Sequence, residues 1–349
     1  MNPNGITKHH QSPFFILLLL VVMTHLYACR QPEPEQFEWL PGVDAPEAYP
    51  IKIIGGEFKS LNGYSPQLPT SDFVNSGWGE TGGIMAVGPD KRAVPDSLSI
   101  TWLSFAERKF YKGNFVLPKL RLTALFREGY VYHETNKKEE YNYLVLGLSP
   151  GGHIVLWIAG GRKQVFVAAF KAAEVKLSAK DVHPDDRYLF QGNFIKESYE
   201  RNVPLKVRDS IKVRGIQPDI FQQRQKKYSW HFRVNDHMVK FDQLAVTYLN
   251  EEVEQLFGIA LLKNGDRERA VPKSLWVVWF DQKKQKMATE VIFDETEIRN
   301  AFSSLAENTS AALNCLVDPE EYAISIFLKA GTKEIRLKKQ SMVTTLLEK

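Results

Sequence analysis

A serine between two glycines is the first feature of this sequence that could do chemistry. The pentapeptide from Gly147 to Gly151 (GLSPG) fits the Gly-X-Ser-X-Gly pattern of a hydrolase nucleophile elbow, with Ser149 as the nucleophile. In such an elbow the residue after the nucleophile donates its backbone N–H to the oxyanion hole, and Pro150 has no N–H. We therefore exclude a hydrolase of this type, and the composition instead predicts a tight turn between two strands, residues 141–148 and 153–158.

A glycine-rich segment gives the second such pattern. Residues 77–82 (GWGETG) fit the dinucleotide-binding fingerprint, which requires a buried strand before it and a helix after it. The preceding residues are polar and residues 83–89 do not begin a good helix, so a loop is predicted. Trp78 is a candidate for an exposed aromatic anchor that binds a partner; the alternative is a Trp78 that folds back onto its own domain. The candidate partner-binding residues are Gly77, Trp78, Gly79 and Pro150.

The histidines give no pattern that would bind a metal ion. Of the five that follow residue 28, only His231 and His237 are close in sequence. A spacing of six places them on different faces of a helix and too far apart on a strand. We find no catalytic residue, no metal site and no cofactor motif, so the expectation is a protein that is not an enzyme and takes no cofactor.

One stretch organises the rest of the chain, because residues 94–126 return in altered form as residues 271–302. Fixed-offset similarity of this kind is typical of repeated structural units. Each copy predicts two strands followed by a short helix, so we expect an α+β fold of two related, mainly antiparallel β domains, each with a short helix. Trp102, Trp157 and Trp279 lie in apolar runs and are predicted to be core residues. The identities between the copies are Val94, Pro95, Ser97, Leu98, Trp102, Lys109 and Phe126, which match Val271, Pro272, Ser274, Leu275, Trp279, Lys286 and Phe302.

Length supports a division into two domains, since 349 residues exceed what one hydrophobic core usually supports. The predicted divisions are a lipoprotein signal peptide at 1–28, a tether at 29–38, a first repeat domain at 39–175, a basic connector at 176–227 and a second repeat domain at 228–349.

The first residues are typical of an exported lipoprotein. Ten apolar residues run from Phe14 to Met23, about half of the roughly 20 that a membrane-spanning helix needs, which favours a signal peptide that is removed. Leu26 and Ala28 before Cys29 resemble the lipoprotein cleavage box, in which the cysteine becomes the lipidated first residue. The alternative is an ordinary secreted protein with an incidental cysteine. Because Arg30, not Asp, follows Cys29, the expected location is the outer membrane, facing the periplasm.

Charge limits the possible partners. The formal net charge is +4, of which Lys8 in the signal peptide supplies one, and this balance argues against nucleic acid as a partner. Residues 194–228 are locally basic, with nine Lys or Arg against four Asp or Glu. This segment is expected to be a solvated linker packed loosely on one domain; contact with anionic lipid or an acidic partner is the alternative.

Residues 39 to about 175 contain a set of aromatic, glycine and proline residues that is specific in combination: Trp39, Gly42, Val43, Ala45-Pro46, Tyr49-Pro50, Gly77-Trp78-Gly79, Pro95, Trp102, Lys109-Phe110-Tyr111, Pro118, Pro150-Gly151-Gly152 and Trp157. By these residues the segment resembles a family of bacterial lipoproteins called domain of unknown function 2931. The family has no assigned catalytic residues, so the resemblance implies no active site. Some similar lipoproteins look like immunity partners of phospholipases delivered by the type VI secretion system.

The expected function is therefore that of a lipid-anchored periplasmic binding protein without catalytic activity. Its anchor would be the lipidated Cys29, and its partner, by the resemblance, a secreted lipase that it neutralises as an immunity lipoprotein. The alternative is an envelope-associated structural lipoprotein that binds envelope components through the basic connector.

Overall fold

The computed structural model describes residues 35–71, 73–132, 135, 137–161, 163–235, 239–306 and 309–348. The predicted signal peptide and the lipidation residue Cys29 lie outside these residues. Of the two predicted close histidines, His237 lies outside them as well.

The first half contains thirteen strands among the described residues and one α-helix. The hairpin predicted around Pro150 and the two strands and helix of the first repeat copy are confirmed. The elements are β1 (Gln36–Glu38), β2 (Leu40–Asp44), β3 (Ile51–Lys59), β4 (Gly83–Ile84), β5 (Lys91–Ala93), β6 (Ser97–Ser104), β7 (Lys109–Val116), α1 (Lys119–Glu128), β8 (Tyr130–Tyr132), β9 (Lys137–Glu139), β10 (Tyr143–Ser149), β11 (His153–Ala159), β12 (Gln164–Lys171) and β13 (Ala173–Val175).

The connector is more regular than its sequence suggests. It forms a 3-10 helix (Pro184–Phe190) and three α-helices, α2 (Phe194–Asn202), α3 (Leu205–Arg214) and α4 (Asp219–Gln223). Leu189 packs against Phe105 in a cluster of the first half. The guanidinium of Arg224 makes a bidentate contact with Glu295 of the second half, at 2.9 and 2.7 Å. A linker packed loosely on one domain is therefore not what is observed.

The second half contains ten strands among the described residues and two helices. The strands and helix of the second repeat copy are confirmed. The elements are β14 (Lys227–Val234), β15 (Lys240–Tyr248), β16 (Val253–Phe257), α5 (Gly258–Leu262), β17 (Arg267–Ala270), β18 (Pro272–Phe280), β19 (Lys286–Phe293), α6 (Glu295–Ser303), β20 (Ala311–Asp318), β21 (Ala323–Ala330), β22 (Lys333–Arg336) and β23 (Gln340–Glu348).

Strand pairing follows the same order in both halves. In the first half, β2 pairs in parallel with β10. Strands β11 and β12 then continue the sheet from β10, each antiparallel to the one before. A second set of neighbouring strands consists of β3, β6, β7 and β13. In the second half, β14 pairs in parallel with β20, and β21 and β22 continue the sheet from β20 in antiparallel order. The second set of neighbouring strands consists of β15, β18, β19 and β23. The fold class is thus α+β with mostly antiparallel strands, as predicted.

Helices α1 and α6 follow the strand pair in the two copies, with different caps. Pro118 precedes α1, and Gly129, at a φ of 59°, ends it. Asp294 caps α6 because its side chain accepts a hydrogen bond from the Glu297 N–H. Each helix buries a phenylalanine, Phe126 in α1 and Phe302 in α6, in the core beside it.

Each half has its own hydrophobic core. One cluster lies between Trp39 and Ala172 in sequence and the other between Trp230 and Leu337. Trp102, Trp157 and Trp279 are fully buried, which confirms their prediction as core residues. Although residues 36–349 form one compact unit, the boundaries of the two repeat domains stay a prediction.

The two halves share one ten-stranded sheet, in which β12 lies beside β16. A single pair, Gln164 and Val253, forms the ladder between these strands. The Phe166 N–H donates to the Glu252 carboxylate at 3.2 Å. Arg121 of α1 donates to the backbone oxygens of Phe166 and Val167 at 2.7 and 2.8 Å. Side chains therefore satisfy the backbone groups of β12 beyond the single ladder pair.

Candidate functional site

The Trp78 side chain lies in the interior of the protein. Trp78 is only 7% exposed. Its ring lies 5.1 Å from that of Trp157 and 4.8 Å from that of Phe221, between centroids. The expectation of an exposed aromatic anchor is thus wrong, and the alternative, in which Trp78 folds back onto its own chain, is observed. The polar, glycine-rich residues around Trp78 do not indicate this burial, because the rings that cover Trp78 come from distant segments of the chain.

Glycines make this packing possible. Gly79 has a φ of +81°, and a Cβ added there would lie 2.3 Å from the Cβ of Glu251. A Cβ on Gly147 would lie 2.4 Å from the Trp157 ring and 2.9 Å from the Trp78 ring. Such distances exclude a side chain at either position. The glycines next to Trp78 therefore serve close packing between the halves rather than loop mobility.

Two hydrogen bonds join the first half to the second half beside this loop, and a third holds the loop itself. The Trp157 Nε1–H donates to the backbone oxygen of Asn250 at 2.9 Å. The Gln164 amide nitrogen donates to the backbone oxygens of Gly79 and Glu251, each at 2.9 Å. Because these groups are buried, each bond satisfies a backbone oxygen that would otherwise lack a partner. The junction is consequently rigid and polar at its centre.

Two buried carboxyl groups lie beside this junction. Burial raises the pKa of Asp44 well above its usual value; the Gly79 N–H opposes the rise, and the carboxylates of Glu251 and Glu80 add to it. Burial also raises the pKa of Glu251 to about 7, against the effect of the Lys273 ammonium, whose Nζ lies 2.9 Å from Oε1. The two groups therefore favour the protonated state more than exposed carboxyls do.

Replacing Asp44 by asparagine is expected to stabilise the protein at pH 8. In the folded state Asp44 keeps its proton above pH 3.8, the ordinary value, so the wild-type free energy of unfolding falls as pH rises from there towards the raised pKa. An asparagine side chain carries no charge, so the Asp44→Asn variant should gain about 1–3 kcal/mol at pH 8 and lose this part of the pH dependence. Urea unfolding at pH 4, 6 and 8 measures both.

Glu47→Gln is the matched control, since Glu47 is exposed and is not among the groups that shift the pKa of Asp44. Its removal should change the free energy of unfolding by less than about 0.5 kcal/mol at any of these pH values. A stability gain of Asp44→Asn that is equal at pH 4 and pH 8 would contradict the assignment.

The predicted turn at Pro150 also packs beneath the connector. Residues Pro150–Gly152 form a 3-10 turn, and Pro150 is buried. The Gly151 N–H donates to the Glu107 carboxylate at 3.0 Å. A Cβ on Gly151 would lie 2.8 Å from Pro218. The turn is thus confirmed, and its partner-binding role stays a prediction.

Both groups of predicted partner-binding residues, the Trp78 loop and the turn at Pro150, contact the connector. Pro218, directly before α4, contacts the turn at Gly151, and Phe221 in α4 contacts Trp78. Neither loop forms an open site by itself. Both instead contact the connector.

An open groove lies between α3, the loop at Tyr49 and the start of α6. Its volume is about 600 Å³. Apolar side chains of Tyr49, Val207 and Phe221 line it together with basic ones. Arg224 is neutralised by Glu295. A groove of this size with apolar walls and a few charges fits a protein segment or a small ligand.

Helix α3 forms one wall of the groove and has no buried side chain. Leu205 is 59% and Val213 86% exposed. Lys206 and Arg214 form no ion pair with any residue that the structure describes. A helix that buries nothing gains little from packing on its own protein, and exposed apolar side chains beside cations are typical of an interaction surface.

The sequence did contain a signal for this helix. Pro204 stands directly before Leu205 and Gly215 directly after Arg214, the residue types that commonly begin and end helices. The weak apolar periodicity of residues 205–214 obscured the helix, because an amphipathic pattern arises only where one face is buried.

In the part of the chain that the structure describes, no group of three or more His, Cys, Asp or Glu side chains is arranged to hold a metal ion. None of the helices in this part is long and apolar enough to span a membrane.

A model of the family described as "Protein of unknown function (DUF2931)" matches residues 27–218. This is more than half of the chain, and the match includes the connector helices α2 and α3. The resemblance predicted from the sequence is thus confirmed at the level of the family. Comparisons with curated proteins and with solved structures gave no match.

Proposed function

The chain belongs to the family of proteins of unknown function DUF2931, and from this premise we propose that it is a lipid-anchored periplasmic binding protein without catalytic activity. Cys29 supplies the anchor and the groove beside α3 receives a protein partner. Nucleic acid is not among the partners proposed.

The observation that carries this proposal is the unburied helix α3. Its exposed Leu205 and Val213 lie next to Lys206 and Arg214, whose charges have no acidic partner among the described residues. A partner surface with apolar side chains and acidic groups would bury the former and neutralise the latter. The family match also supports the importance of this helix, since it extends through residue 218.

The partner that we propose is a phospholipase delivered by a type VI secretion system, which makes the protein an immunity lipoprotein. An anchored binder in the periplasm would meet such a toxin where it acts and could cover its catalytic cleft. This step rests on the resemblance to similar lipoproteins and on the chemistry of the groove.

Replacing Cys29 by alanine is expected to release the protein from membranes. A lipidated cysteine buries several acyl chains at about 0.8 kcal/mol per methylene, and without them the protein has no anchor of comparable strength. Fractionation of cells into soluble and membrane parts measures the change. Cys315→Ala, at a buried core position, is the control and should stay with the membranes; a membrane-bound Cys29→Ala would contradict lipidation.

The partner is tested with the product of a lipase-like neighbouring gene. Cells that express this lipase in the periplasm should be rescued by the protein, and the two proteins should co-purify. Val207→Glu, in the wall of the groove, should weaken both effects at least tenfold. Val116→Glu is the matched control, because Val116 is 85% exposed but does not line the groove. Absence of both rescue and binding would remove the immunity proposal.

The alternative proposal is an envelope-associated structural lipoprotein. The basic side chains of α3 favour it to the extent that they would also bind anionic envelope components. An isolated gene or an envelope operon would support this alternative, whereas a neighbouring lipase gene supports the first proposal.

We also propose that the second half is a diverged copy of the family domain. The equal order of strand pairing and the matched residues from Val94 and Val271 support a duplication. An experimental structure in which β20 does not pair in parallel with β14 would contradict it.

A further inference from the structure

Two arginines stand at the same place in the two copies of the repeat. The tetrapeptide Arg-Ala-Val-Pro occurs at residues 92–95 and again at 269–272. The identity between the copies therefore begins two residues before Val94. Both arginines are buried, with exposed fractions of 3% for Arg92 and 4% for Arg269. A buried arginine that recurs in this way has a structural or binding role in each half.

The surroundings of the two arginines correspond closely. Each arginine lies opposite an aromatic residue of the neighbouring strand. Each also donates from Nη1 to the backbone oxygen of a buried tryptophan, which follows that aromatic residue by two positions. The aromatic partner in turn packs on the phenylalanine of the helix that follows the strand pair. These sets are Arg92, Phe37, Trp39 and Phe126 in the first half and Arg269, Tyr228, Trp230 and Phe302 in the second.

The halves differ in the negative charge that faces the arginine. In the second half, the Nε of Arg269 donates to the Oε2 of Glu254 at 3.2 Å. Glu254 is itself buried, and its Oε2 also accepts the hydroxyl of Tyr248 at 2.5 Å. The charge of Arg269 is thus neutralised inside the protein.

Arg92 has no such partner. Its guanidinium donates to the backbone oxygens of Trp39 and Val87, the latter at 3.0 Å, and lies 6.0 Å from the ring centre of Tyr64. Its buried Nε–H has no hydrogen-bond acceptor, and no carboxylate of the described residues forms an ion pair with it. A buried cation without a counter-charge is costly, so this site is incomplete.

The missing acid has a structural reason. Glu254 belongs to β16, which runs alongside β15. In the first half the segment alongside β3 is 66–68, held by hydrogen bonds from Phe58 N–H to the Pro66 oxygen and from Leu68 N–H to the Gly56 oxygen. This segment contains no acidic residue.

A cavity of about 400 Å³ adjoins Arg92. Trp39 also lines it, and the Trp39 Nε1–H is a second buried donor without an acceptor. The amide residue Asn142 adds a further polar group to the wall, and the exposed residues Glu38 and Asp90 complete it. The cavity is thus lined by residues that include a buried cation, and it is large enough for a small organic ion.

We propose that this cavity binds a monocarboxylate group, which neutralises Arg92 as the side chain of Glu254 neutralises Arg269. A carboxylate supplies the negative charge that the guanidinium lacks. Glu38 and Asp90 disfavour dianions such as phosphate, since they add negative charge to the same wall. The group is either a free small carboxylate or the C-terminal carboxylate of a polypeptide.

Calorimetric titration of the full-length protein in detergent tests this proposal. The probes are sodium acetate, with sodium chloride at equal ionic strength as reference, and tetraalanine with a free or an amidated C terminus. Acetate binding identifies a small carboxylate as sufficient. Binding of tetraalanine only when its C terminus is free identifies a chain terminus. Either result supports the site if Arg92→Gln weakens binding at least tenfold.

Lys91→Gln is the matched control, because Lys91 neighbours Arg92 in β5 but is exposed; it should change the affinity less than twofold. If Arg92→Gln fails to fold, crystals of the wild-type protein soaked with each probe give the answer. Density for a carboxylate within 3.2 Å of Arg92 would support the proposal. Equal binding of the amidated peptide, unchanged binding by Arg92→Gln, or an empty cavity with every probe would overturn it.

Discussion

Replacing Trp78 by alanine is expected to lower the free energy of unfolding by about 3–5 kcal/mol, the usual cost of deleting a large buried aromatic side chain. The ring packs on Trp157 and Phe221, and Gly147 leaves the space that it fills. Backbone contacts through Gly79 hold the surrounding loop in place, so the cavity cannot readily collapse. Urea unfolding followed by far-ultraviolet circular dichroism gives the value.

Trp276→Ala is the appropriate comparison for this variant. Trp276 is the same residue type but is 38% exposed on the outer face of a sheet, so its loss should cost clearly less, about 1 kcal/mol. Equal effects of the two substitutions would contradict the central position of Trp78. Because Phe221 also lines the groove beside α3, Trp78→Ala should weaken partner binding indirectly, through the connector.

Arg269→Met is expected to cost about 3–5 kcal/mol as well, for a different reason. The substitution leaves the buried Glu254 carboxylate without the guanidinium at 3.2 Å and the Trp230 and Gly265 backbone oxygens without their donor. Breaking one side of a buried ion pair has a cost of this size. Thermal and urea unfolding of the variant measure the loss.

A second substitution separates the charge from the packing. Adding Glu254→Gln to Arg269→Met removes the uncompensated charge, so the double variant should recover a substantial part of the lost stability. Arg267→Gln is the control, because Arg267 also contacts Glu254 but is half exposed; its loss should stay below about 1 kcal/mol. A double variant that is less stable than Arg269→Met would show that the ion pair is not the cause.

Much of the fold could be predicted from local patterns. The hairpin at Pro150 follows from a turn composition between two apolar runs, and both repeat copies follow from alternation and from Pro118 and Asp294 at the helix starts. These signals are local in sequence. The predictions held because each depends on neighbours within about ten residues.

The site was less predictable, because its contacts join distant segments. Trp78 meets Trp157 and Phe221, far along the chain, and no local pattern in residues 77–82 indicates that meeting. The role of Arg92 likewise requires the other half as a reference. Its sequence signal, the repeated Arg-Ala-Val-Pro, is visible, but its missing counter-charge depends on which segment runs beside β3.

The side chains that flank β12 restrict how any partner can bind. Glu252 occupies the Phe166 N–H, and Arg121 occupies the Phe166 and Val167 oxygens. Backbone groups used in this way are closed to strand addition, the mode in which a foreign peptide extends a sheet. A peptide therefore cannot pair with β12 through these three groups, and a contact at this point must use side chains, which single surface substitutions can change while the sheet beneath stays intact.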